Sequence, residues 1–181
     1  VMRHHRAESA RRIGIVGLGI GTLASYGVPG DFIRFYEIDP QVVDVAENGF
    51  WYLLETEANY KVQLGDARLS LESEAPQEYD ILVLDAFSSD AIPVHLLTRE
   101  AFAIYLRHLR EDGILAVHIS NRHFNLEPVI AGHAQHFGLE LATVFSQGDE
   151  QQAINPALWS LLSRSAESLG IEAIQKVKQR S

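Results

Sequence analysis

The chain has 181 residues, of which 46% are apolar, and its 24 acidic residues against 15 Lys and Arg give a formal net charge of −9. This length and apolar content fit one globular domain. The acidity argues against nucleic-acid binding, because neutralising phosphates requires a basic face. Cysteine is absent, which excludes disulfides, thiolate metal sites and cysteine nucleophiles.

The charge is unevenly distributed along the chain. Residues 1–12 carry four Arg against one Glu, whereas residues 31–90 carry 14 acids against three bases. Acids concentrated in one region can attract a cationic ligand, although a solvated surface is the simplest interpretation of a charge excess. The acids at positions 55, 57, 72, 74 and 78 are interpreted as such surface residues.

Short apolar runs alternate with segments of helical periodicity. The pattern predicts strands over 12–17, 32–39, 60–66, 79–85, 114–119, 139–145 and 158–163, and helices over 41–51, 67–74, 98–112, 126–137 and 167–181. This alternation predicts an α/β fold with a doubly wound, mostly parallel, seven-stranded, Rossmann-like sheet. We divide the chain into a basic N-terminal segment (1–12), a nucleoside-binding catalytic domain (13–165) and a C-terminal helix or tail (166–181).

Glycines follow the first predicted strand, at Gly17, Gly19 and Gly21. Ligands of doubly wound sheets bind at the carboxyl ends of the strands, and glycines there let a ligand approach main-chain N–H groups at a helix start. Many such turns contain glycines for packing alone. The dinucleotide motif G-x-G-x-x-G would require glycine at Thr22, so the spacing disfavours a nicotinamide cofactor.

Acids follow the next two strands. Glu37 stands 20 positions after Gly17, where an acid can accept the ribose hydroxyls of an adenosine, although it could equally be a solvated strand end. Asp66 lies in Gly65-Asp66-Ala67 and could accept the amine of adenine or cap the following helix. A glycine turn followed by two such acids predicts an adenosine site.

Asp85 ends the most hydrophobic strand, which we expect to be central because strands buried on both faces are continuously apolar. Its carboxylate would then lie beside the reactive end of a bound cofactor. Asp90 follows five residues later in a polar loop. Serine and aspartate in such a loop could instead only satisfy turn backbone.

Two histidines, His118 and His123, follow the fifth strand. They could indicate a metal, but no third ligand has convincing spacing, so no metal is predicted. We interpret His118 as a packed strand residue, and Ser120 and Asn121 as residues that shape the following loop, although this loop could instead contact a substrate.

The combined pattern resembles the spermidine synthase (polyamine aminopropyltransferase) family, within the class I S-adenosylmethionine-dependent methyltransferase fold. The resemblance covers roughly residues 12–146. The motifs that carry it are the glycine turn at 17–21, Tyr36-Glu37-Ile38-Asp39, Gly65-Asp66-Ala67, the run from Tyr79 to Asp85 with its serine–aspartate loop, and Leu97-Thr98-Arg99-Glu100-Ala101-Phe102.

The resemblance implies a role for each site residue. Glu37 would bind the ribose of decarboxylated S-adenosylmethionine and Asp66 its adenine, with the three glycines, Ala67 and Asp85 in the same cofactor site. Asp85 would bind and deprotonate the attacking amine, and Asp90 would contact the same substrate. An amine of pKa near 10.4 is charged at neutral pH and needs such a base. The sulfonium is already a good leaving group, so no metal is required.

Three departures from the family pattern keep alternatives open. Ile20 stands where the family has an aspartate that holds the amino group of the transferred chain. Asp85 and Asp90 are five apart instead of three, and the first strand begins too early for the family's N-terminal β-rich domain. The alternatives are a small-molecule methyltransferase that uses S-adenosylmethionine, a non-catalytic adenosyl-binding module of a larger protein and, more distantly, an NAD-dependent oxidoreductase.

The resemblance also sets expectations about partners and location. It implies a small-molecule amine (polyamine) substrate, a homodimer and a cytoplasmic location, with no nucleic-acid partner. The apolar stretch at 13–24 is too short to span a bilayer, and no secretory signal is evident, so we expect no direct membrane contact. The glycine turn and Ser-Ser-Asp loop are also similar to those of relatives fused behind a membrane domain, which keeps such a fusion open.

Overall fold

The computed structural model describes residues 10–87, 92–121, 124–148 and 155–170. The strands are β1 (Arg12–Val16), β2 (Phe32–Glu37), β3 (Asn59–Leu64), β4 (Tyr79–Leu84), β5 (Leu109–His118), β6 (Glu140–Ser146) and β7 (Ala157–Ser163). The α-helices are α1 (Pro40–Asn48), α2 (Tyr52–Glu55), α3 (Ala67–Ser73), α4 (Arg99–His108), α5 (Glu127–Phe137) and α6 (Ala166–Leu169). Two short 3₁₀ helices cover Thr22–Tyr26 and Val94–Leu97.

The seven strands form one sheet in the order β3-β2-β1-β4-β5-β7-β6. The first five strands are parallel, and β7 runs antiparallel to both of its neighbours. β4 lies in the middle, and all six of its residues are buried. The predicted fold class, a doubly wound and mostly parallel seven-stranded sheet with a central fourth strand, is confirmed.

Helices cover both faces of the sheet, as the right-handed crossovers between parallel strands require. α3, α4 and α5 pack on one face, where Phe102 and Tyr105 are fully buried. α1, α2 and α6 pack on the other face, around Ile13 and Phe35. The carboxyl ends of the parallel strands therefore lie together along one edge of the sheet.

Local sequence signals explain where the helices begin and end. The side chains of Asp39, Asp66 and Thr98 accept hydrogen bonds from backbone N–H groups in the first turns of α1, α3 and α4. Each such cap satisfies an otherwise unpaired donor. Gly138, in the left-handed conformation with φ 64°, ends α5, where glycine has no steric penalty.

Three elements differ from the prediction. β5 begins at Leu109, five residues early, because Leu109 pairs with Tyr79 before a register shift, so Gly113 lies inside the strand instead of after a helix. The segment after the glycine turn is a five-residue 3₁₀ helix, not a full helix. The short helix α2 follows Trp51 and was not predicted.

Several charged side chains are buried or partly buried, among them Arg11 and Glu74. Arg11, from the basic N-terminal segment, is buried against Asp31. Glu74, interpreted above as a surface residue, has a side chain only 17% exposed. It pairs with Arg34 and accepts a hydrogen bond of 3.0 Å from the Tyr36 hydroxyl, so that interpretation is wrong.

The ends of the chain are described only in part. Residues 1–9 and 171–181 lie outside the described residues, so the predicted terminal helix is represented by α6 alone. Within the described ranges, no helix combines the length and apolar character needed to cross a bilayer.

Candidate functional site

A cavity of about 500 Å³ opens at the carboxyl ends of β1 to β4. Its lining includes two of the three predicted glycines, Gly17 and Gly19. It also includes Glu37 at the end of β2, Asp66 after β3 and Asp85 after β4. Asp39 adds a fourth carboxylate, and among the described lining residues there is no Lys or Arg. The cavity is therefore strongly acidic.

The glycine turn lets β1 and β4 approach closely at the cavity floor. Gly17 has φ +95°, and a Cβ on it would lie 2.5 Å from the backbone oxygen of Asp85. The backbone N–H of Asp85 in turn donates to the carbonyl of Val16 at 2.9 Å. Gly19 also has positive φ, but a Cβ there would meet nothing within 4 Å. Gly17 is thus required for packing, whereas Gly19 faces open space beside the cavity.

Glu37 is buried, not a solvated strand end, since only 9% of it is exposed. Its Oε1 accepts hydrogen bonds from the N–H groups of Ile38 and Asp39 at 2.8 and 2.9 Å, and its Oε2 accepts one from Leu18 at 3.0 Å. Each carboxylate oxygen has two lone pairs, so one acceptor position remains on Oε2. The glycine turn and the β2 end are thereby joined through this carboxylate.

Asp66 does cap a helix, and it also faces the cavity. Its Oδ1 accepts a hydrogen bond of 2.9 Å from the N–H of Leu69, while its Oδ2 lies 3.0 Å from Nε2 of His95. Ala67, the first residue of α3, is buried next to it in the cavity wall. The capping role and a ligand role are compatible, because the carboxylate keeps acceptor capacity on both oxygens.

Asp85 follows β4 directly and holds a partner that was not predicted. Its Oδ1 lies 2.7 Å from Nδ1 of His118, at the end of β5. The two residues meet because β4 and β5 are neighbours in register, with Leu84 opposite Val117. The side chains of Asp85 and His118 are 30% and 20% exposed, so the pair is sheltered but open to the cavity.

The contacts of His118 continue away from the cavity. Its Nε2 lies 3.0 Å from Oγ of Ser120, which accepts a hydrogen bond of 2.7 Å from the N–H of Leu158. The imidazole stacks on Trp159, with ring centroids 4.5 Å apart and planes inclined by 9°. Phe87 contacts it edge-on at 4.8 Å. The partners of both ring nitrogens and the stacked Trp159 therefore hold the imidazole in place.

The structure thus brings Gly17, Gly19, Glu37, Asp66 and Asp85 to one cavity, with Gly21 at the start of the adjoining 3₁₀ helix. Asp90, predicted to contact the substrate, lies outside the described residues. In the described ranges, no group of three or more His, Asp or Glu side chains is arranged to hold a metal ion.

Sequence reasoning missed His118 and His95 as site residues. His118 is a packed strand residue, as predicted, but it also bonds the central carboxylate. The signal that could have revealed it is its position. Parallel neighbours in a doubly wound sheet end at the same edge, so a polar residue ending β5 lies beside one ending β4.

Comparison with known proteins gives the following relatives. No family profile matches the chain. A polyamine aminopropyltransferase from Vibrio vulnificus is 37% identical over 109 residues, which cover 58% of this chain and 36% of that protein. The chain therefore spans about a third of the length of this relative.

Solved structures show the same fold at low sequence identity. A spermidine synthase in complex with the transition state analogue AdoDATO superposes with a TM-score of 0.67 at 15% identity, covering 93% of this chain and 59% of that one. Human methyltransferase-like protein 13 in complex with SAH superposes with a TM-score of 0.70 at 20% identity, covering 96% and 84%. The resemblance to the spermidine synthase family and the class I methyltransferase fold is confirmed.

Proposed function

We propose that this chain, a class I methyltransferase fold with a sequence relative among the polyamine aminopropyltransferases, transfers an aminopropyl group from decarboxylated S-adenosylmethionine to an amine. The observation that carries the proposal is the charge of the cavity. Four carboxylates line it, and the described lining contains no Lys or Arg. One of them, Asp85, lies at the end of the central strand, where the reactive end of an adenosyl ligand would be placed.

The charge of the cavity favours the decarboxylated cofactor. That molecule carries a sulfonium and an ammonium, whereas S-adenosylmethionine carries an additional carboxylate. Two like charges about 4 Å apart near a protein surface cost about 4 kcal/mol at an effective dielectric constant of about 20. A cavity lined by Glu37, Asp39, Asp66 and Asp85 repels the extra carboxylate and attracts both cations.

The adenosine would occupy the side of the cavity nearest β2 and β3. The remaining acceptor position on Oε2 of Glu37 is available for one ribose hydroxyl. The free lone pairs of Asp66 are available for the exocyclic amine of adenine. Gly19, with open space where a side chain would be, lets the ligand approach the main chain.

Asp85 would act on the acceptor. Its carboxylate attracts the ammonium form of the amine and then takes one proton as the nitrogen attacks the carbon next to the sulfonium. Holding nitrogen, carbon and sulfur in line converts a bimolecular displacement into a unimolecular step. The protein therefore supplies a base and a geometry, and the cofactor supplies the leaving group.

The wider assignments belong to the same proposal. They are a catalytic domain over residues 13–165, a polyamine as the acceptor, Asp90 as a further contact to it, a homodimer and a cytoplasmic location. The shared sequence with the Vibrio aminopropyltransferase supports the polyamine acceptor, and the other assignments follow from the family resemblance. No metal and no nucleic acid take part in the proposed reaction.

A second candidate function is methyl transfer from S-adenosylmethionine to a small molecule. Ile20 favours it, because this exposed apolar side chain replaces the carboxylate that would hold the amino group of an aminopropyl chain. The likeness in fold to human methyltransferase-like protein 13 is compatible with it.

Calorimetric titration separates these functions. The ligands are decarboxylated S-adenosylmethionine, S-adenosylmethionine, methylthioadenosine and NAD. We expect the decarboxylated form to bind more tightly than S-adenosylmethionine by about tenfold or more, which corresponds to about 1.4 kcal/mol. A preference for S-adenosylmethionine would favour methyl transfer, and binding of NAD alone would contradict every adenosyl function.

A further inference from the structure

We propose that His118 is a positioning residue for Asp85 and that the hydrogen-bonded series Leu158–Ser120–His118–Asp85 holds the base in one orientation. The inference deepens the proposed function and rests on it. It assigns to the β5 end a role in catalysis beyond packing. The first support is the distance of 2.7 Å between Nδ1 of His118 and Oδ1 of Asp85.

The carboxylate fixes the direction of the hydrogen bonds: an ionised carboxylate can only accept, so Nδ1 of His118 donates to Oδ1 of Asp85. The backbone N–H of Leu158 can only donate, so Oγ of Ser120 accepts from it at 2.7 Å. The hydroxyl proton of Ser120 is then free to point at Nε2 of His118, 3.0 Å away. With Nε2 as acceptor, the neutral imidazole carries its proton on Nδ1 and donates it to Asp85.

The position of the ring is fixed independently of these bonds. His118 and Trp159 are directly opposite each other on the antiparallel strands β5 and β7, and their rings stack 4.5 Å apart. The next residue, Ile119, bonds through its N–H to the carbonyl of Leu158 at 2.9 Å. The imidazole is thus anchored to β7 by contacts that do not involve Asp85.

The two oxygens of Asp85 therefore have different roles. Oδ1 accepts the Nδ1–H of His118. Within the described residues, Oδ2 has no hydrogen-bonded side chain or backbone partner, and Asp85 lines the cavity. Oδ2 is therefore the oxygen that receives the acceptor ammonium.

His118 keeps its one ring N–H proton throughout the reaction, and the proton that moves comes from the ammonium. One N–H bond of the ammonium breaks and its proton moves to Oδ2 of Asp85. The freed lone pair forms the new N–C bond while the C–S bond breaks, and that electron pair stays on sulfur as a neutral thioether. The product is a secondary ammonium. The donated hydrogen bond stabilises the carboxylate before the transfer and fixes its angle of approach.

Three variants separate hydrogen bonding from packing. His118→Phe keeps a ring to stack on Trp159 but has no donor. His118→Asn places an amide N–H at the position of Nδ1 and restores a donor without the ring. Ser120→Ala removes the outer partner. His136→Asn, on the exposed surface of α5, is the matched control away from the cavity.

The readouts are kcat, the Kd for methylthioadenosine and the thermal unfolding midpoint. We expect His118→Phe to lower kcat about 10- to 100-fold, as misplacement of a reacting group does, with the methylthioadenosine Kd within about twofold of the parent. His118→Asn should recover most of the loss, Ser120→Ala should lie between them, and His136→Asn should match the parent. Parental kcat in His118→Phe, or equal losses in the Phe and Asn variants, would overturn the inference.

NMR tests the inference independently of activity. If the parent turns over neither decarboxylated S-adenosylmethionine nor S-adenosylmethionine, that result contradicts the proposed function, and the NMR measurement still decides the role of His118. In ¹⁵N-labelled protein we expect the His118 ring proton on Nδ1, with its resonance shifted in Asp85→Asn and absent in His118→Phe. A His118 ring that carries its only proton on Nε2, or that is insensitive to Asp85→Asn, would rule out the proposed donor.

Discussion

Individual carboxylates at the cavity differ in how much of their hydrogen-bonding capacity the protein itself uses. Glu37 accepts three backbone N–H groups and keeps one acceptor position. Asp66 accepts one N–H group and faces His95. Asp85 is held through one oxygen by His118. The oxygen positions left over define where a ligand can bind, and Asp85 keeps one whole oxygen, Oδ2, without a hydrogen-bond partner among the described residues.

The role of Asp85 as a base is tested by Asp85→Asn. The amide keeps the size of the side chain but cannot take a proton, so we expect turnover to fall by about 10²- to 10⁴-fold, the usual contribution of general base catalysis. The Kd for methylthioadenosine should stay within a few-fold, because the substituted group faces the acceptor. Steady-state kinetics and calorimetry measure the two quantities.

A matched control for this variant is Asp44→Asn. Asp44 is exposed on α1 and bonds only the neighbouring Asn48 among the described residues, so its turnover should equal that of the parent. Retention of parental turnover in Asp85→Asn would remove Asp85 as the base.

The sequence identified three of the four carboxylates in the described cavity lining, but neither Asp39 nor the partners of these acids. Glu37, Asp66 and Asp85 could be predicted because each directly follows a recognisable apolar strand. His118 could not be assigned, since its contact with Asp85 depends on β4 and β5 being adjacent and in register. The inner position of Glu74 could not be predicted either, because it depends on Arg34 and the Tyr36 hydroxyl, 40 and 38 positions away.

At the level of elements, the turn between β1 and the first 3₁₀ helix controls how closely β1 approaches the end of β4. Gly17 has φ +95°, and a Cβ on it would lie 2.5 Å from the Asp85 carbonyl oxygen. We expect Gly17→Ala to lower the free energy of unfolding by about 1–3 kcal/mol, and to weaken adenosyl binding because the Asp85 backbone must move. Urea unfolding and calorimetry measure these effects.

Gly19→Ala is the matched control for this prediction. Gly19 also has a positive φ, of 53°, but a Cβ on it has no neighbour within 4 Å. Gly19→Ala should therefore lower the free energy of unfolding by only about 1 kcal/mol, the cost of a positive φ for a residue with a side chain. Equal destabilisation in the two variants would show that the close approach of β1 and β4 does not matter.

Elements with strong local signals were predicted well, and those set by tertiary contacts were not. β4 is a continuous apolar run, and α4 begins at the Thr98 cap, so both were recognisable. The early start of β5 depends on Leu109 pairing with Tyr79 across the sheet. α2 has only four residues, too few to show a helical period.

For the whole molecule, the charges divide into a ligand-facing group and a group that holds the fold together. Arg11 and Asp31 belong to the second group: both are buried, and the Arg11 N–H and Nε donate to Asp31 at 2.9 and 3.1 Å. Burial alone would raise the pKa of Asp31. Hydrogen bonds from the Arg11 side chain and from the backbone of Val28 and Arg11 outweigh it and hold this pKa below its usual value.

This pair predicts a pH dependence of stability. A carboxyl whose pKa is lowered on folding stabilises the protein above its unfolded pKa, near 3.9, and loses that contribution as the pH falls further. We expect the thermal unfolding midpoint of the parent to decrease as the pH is lowered below about 4, and to decrease less steeply in Asp31→Asn. That variant should also be less stable at neutral pH by about 3–5 kcal/mol, because Arg11 is left buried without its partner.

Circular dichroism melts across the acid range measure this dependence, and the exposed Asp44→Asn variant should follow the parent curve. If Asp31→Asn keeps the full acid-induced loss of stability, the buried pair is not its source.

The ligand-facing group consists of the acids of the cavity, and these acids relate part of the net charge of −9 to ligand binding. Glu37, Asp39, Asp66 and Asp85 face one cavity at the carboxyl ends of the parallel strands, where they suit a sulfonium and a second cation. The most direct test is mass spectrometry of the products formed from decarboxylated S-adenosylmethionine and a polyamine. We expect the parent to form methylthioadenosine together with an aminopropylated amine, and Asp85→Asn to form about 10²- to 10⁴-fold less of both in the same time. Undiminished product from Asp85→Asn, or none from the parent, would contradict the proposed function.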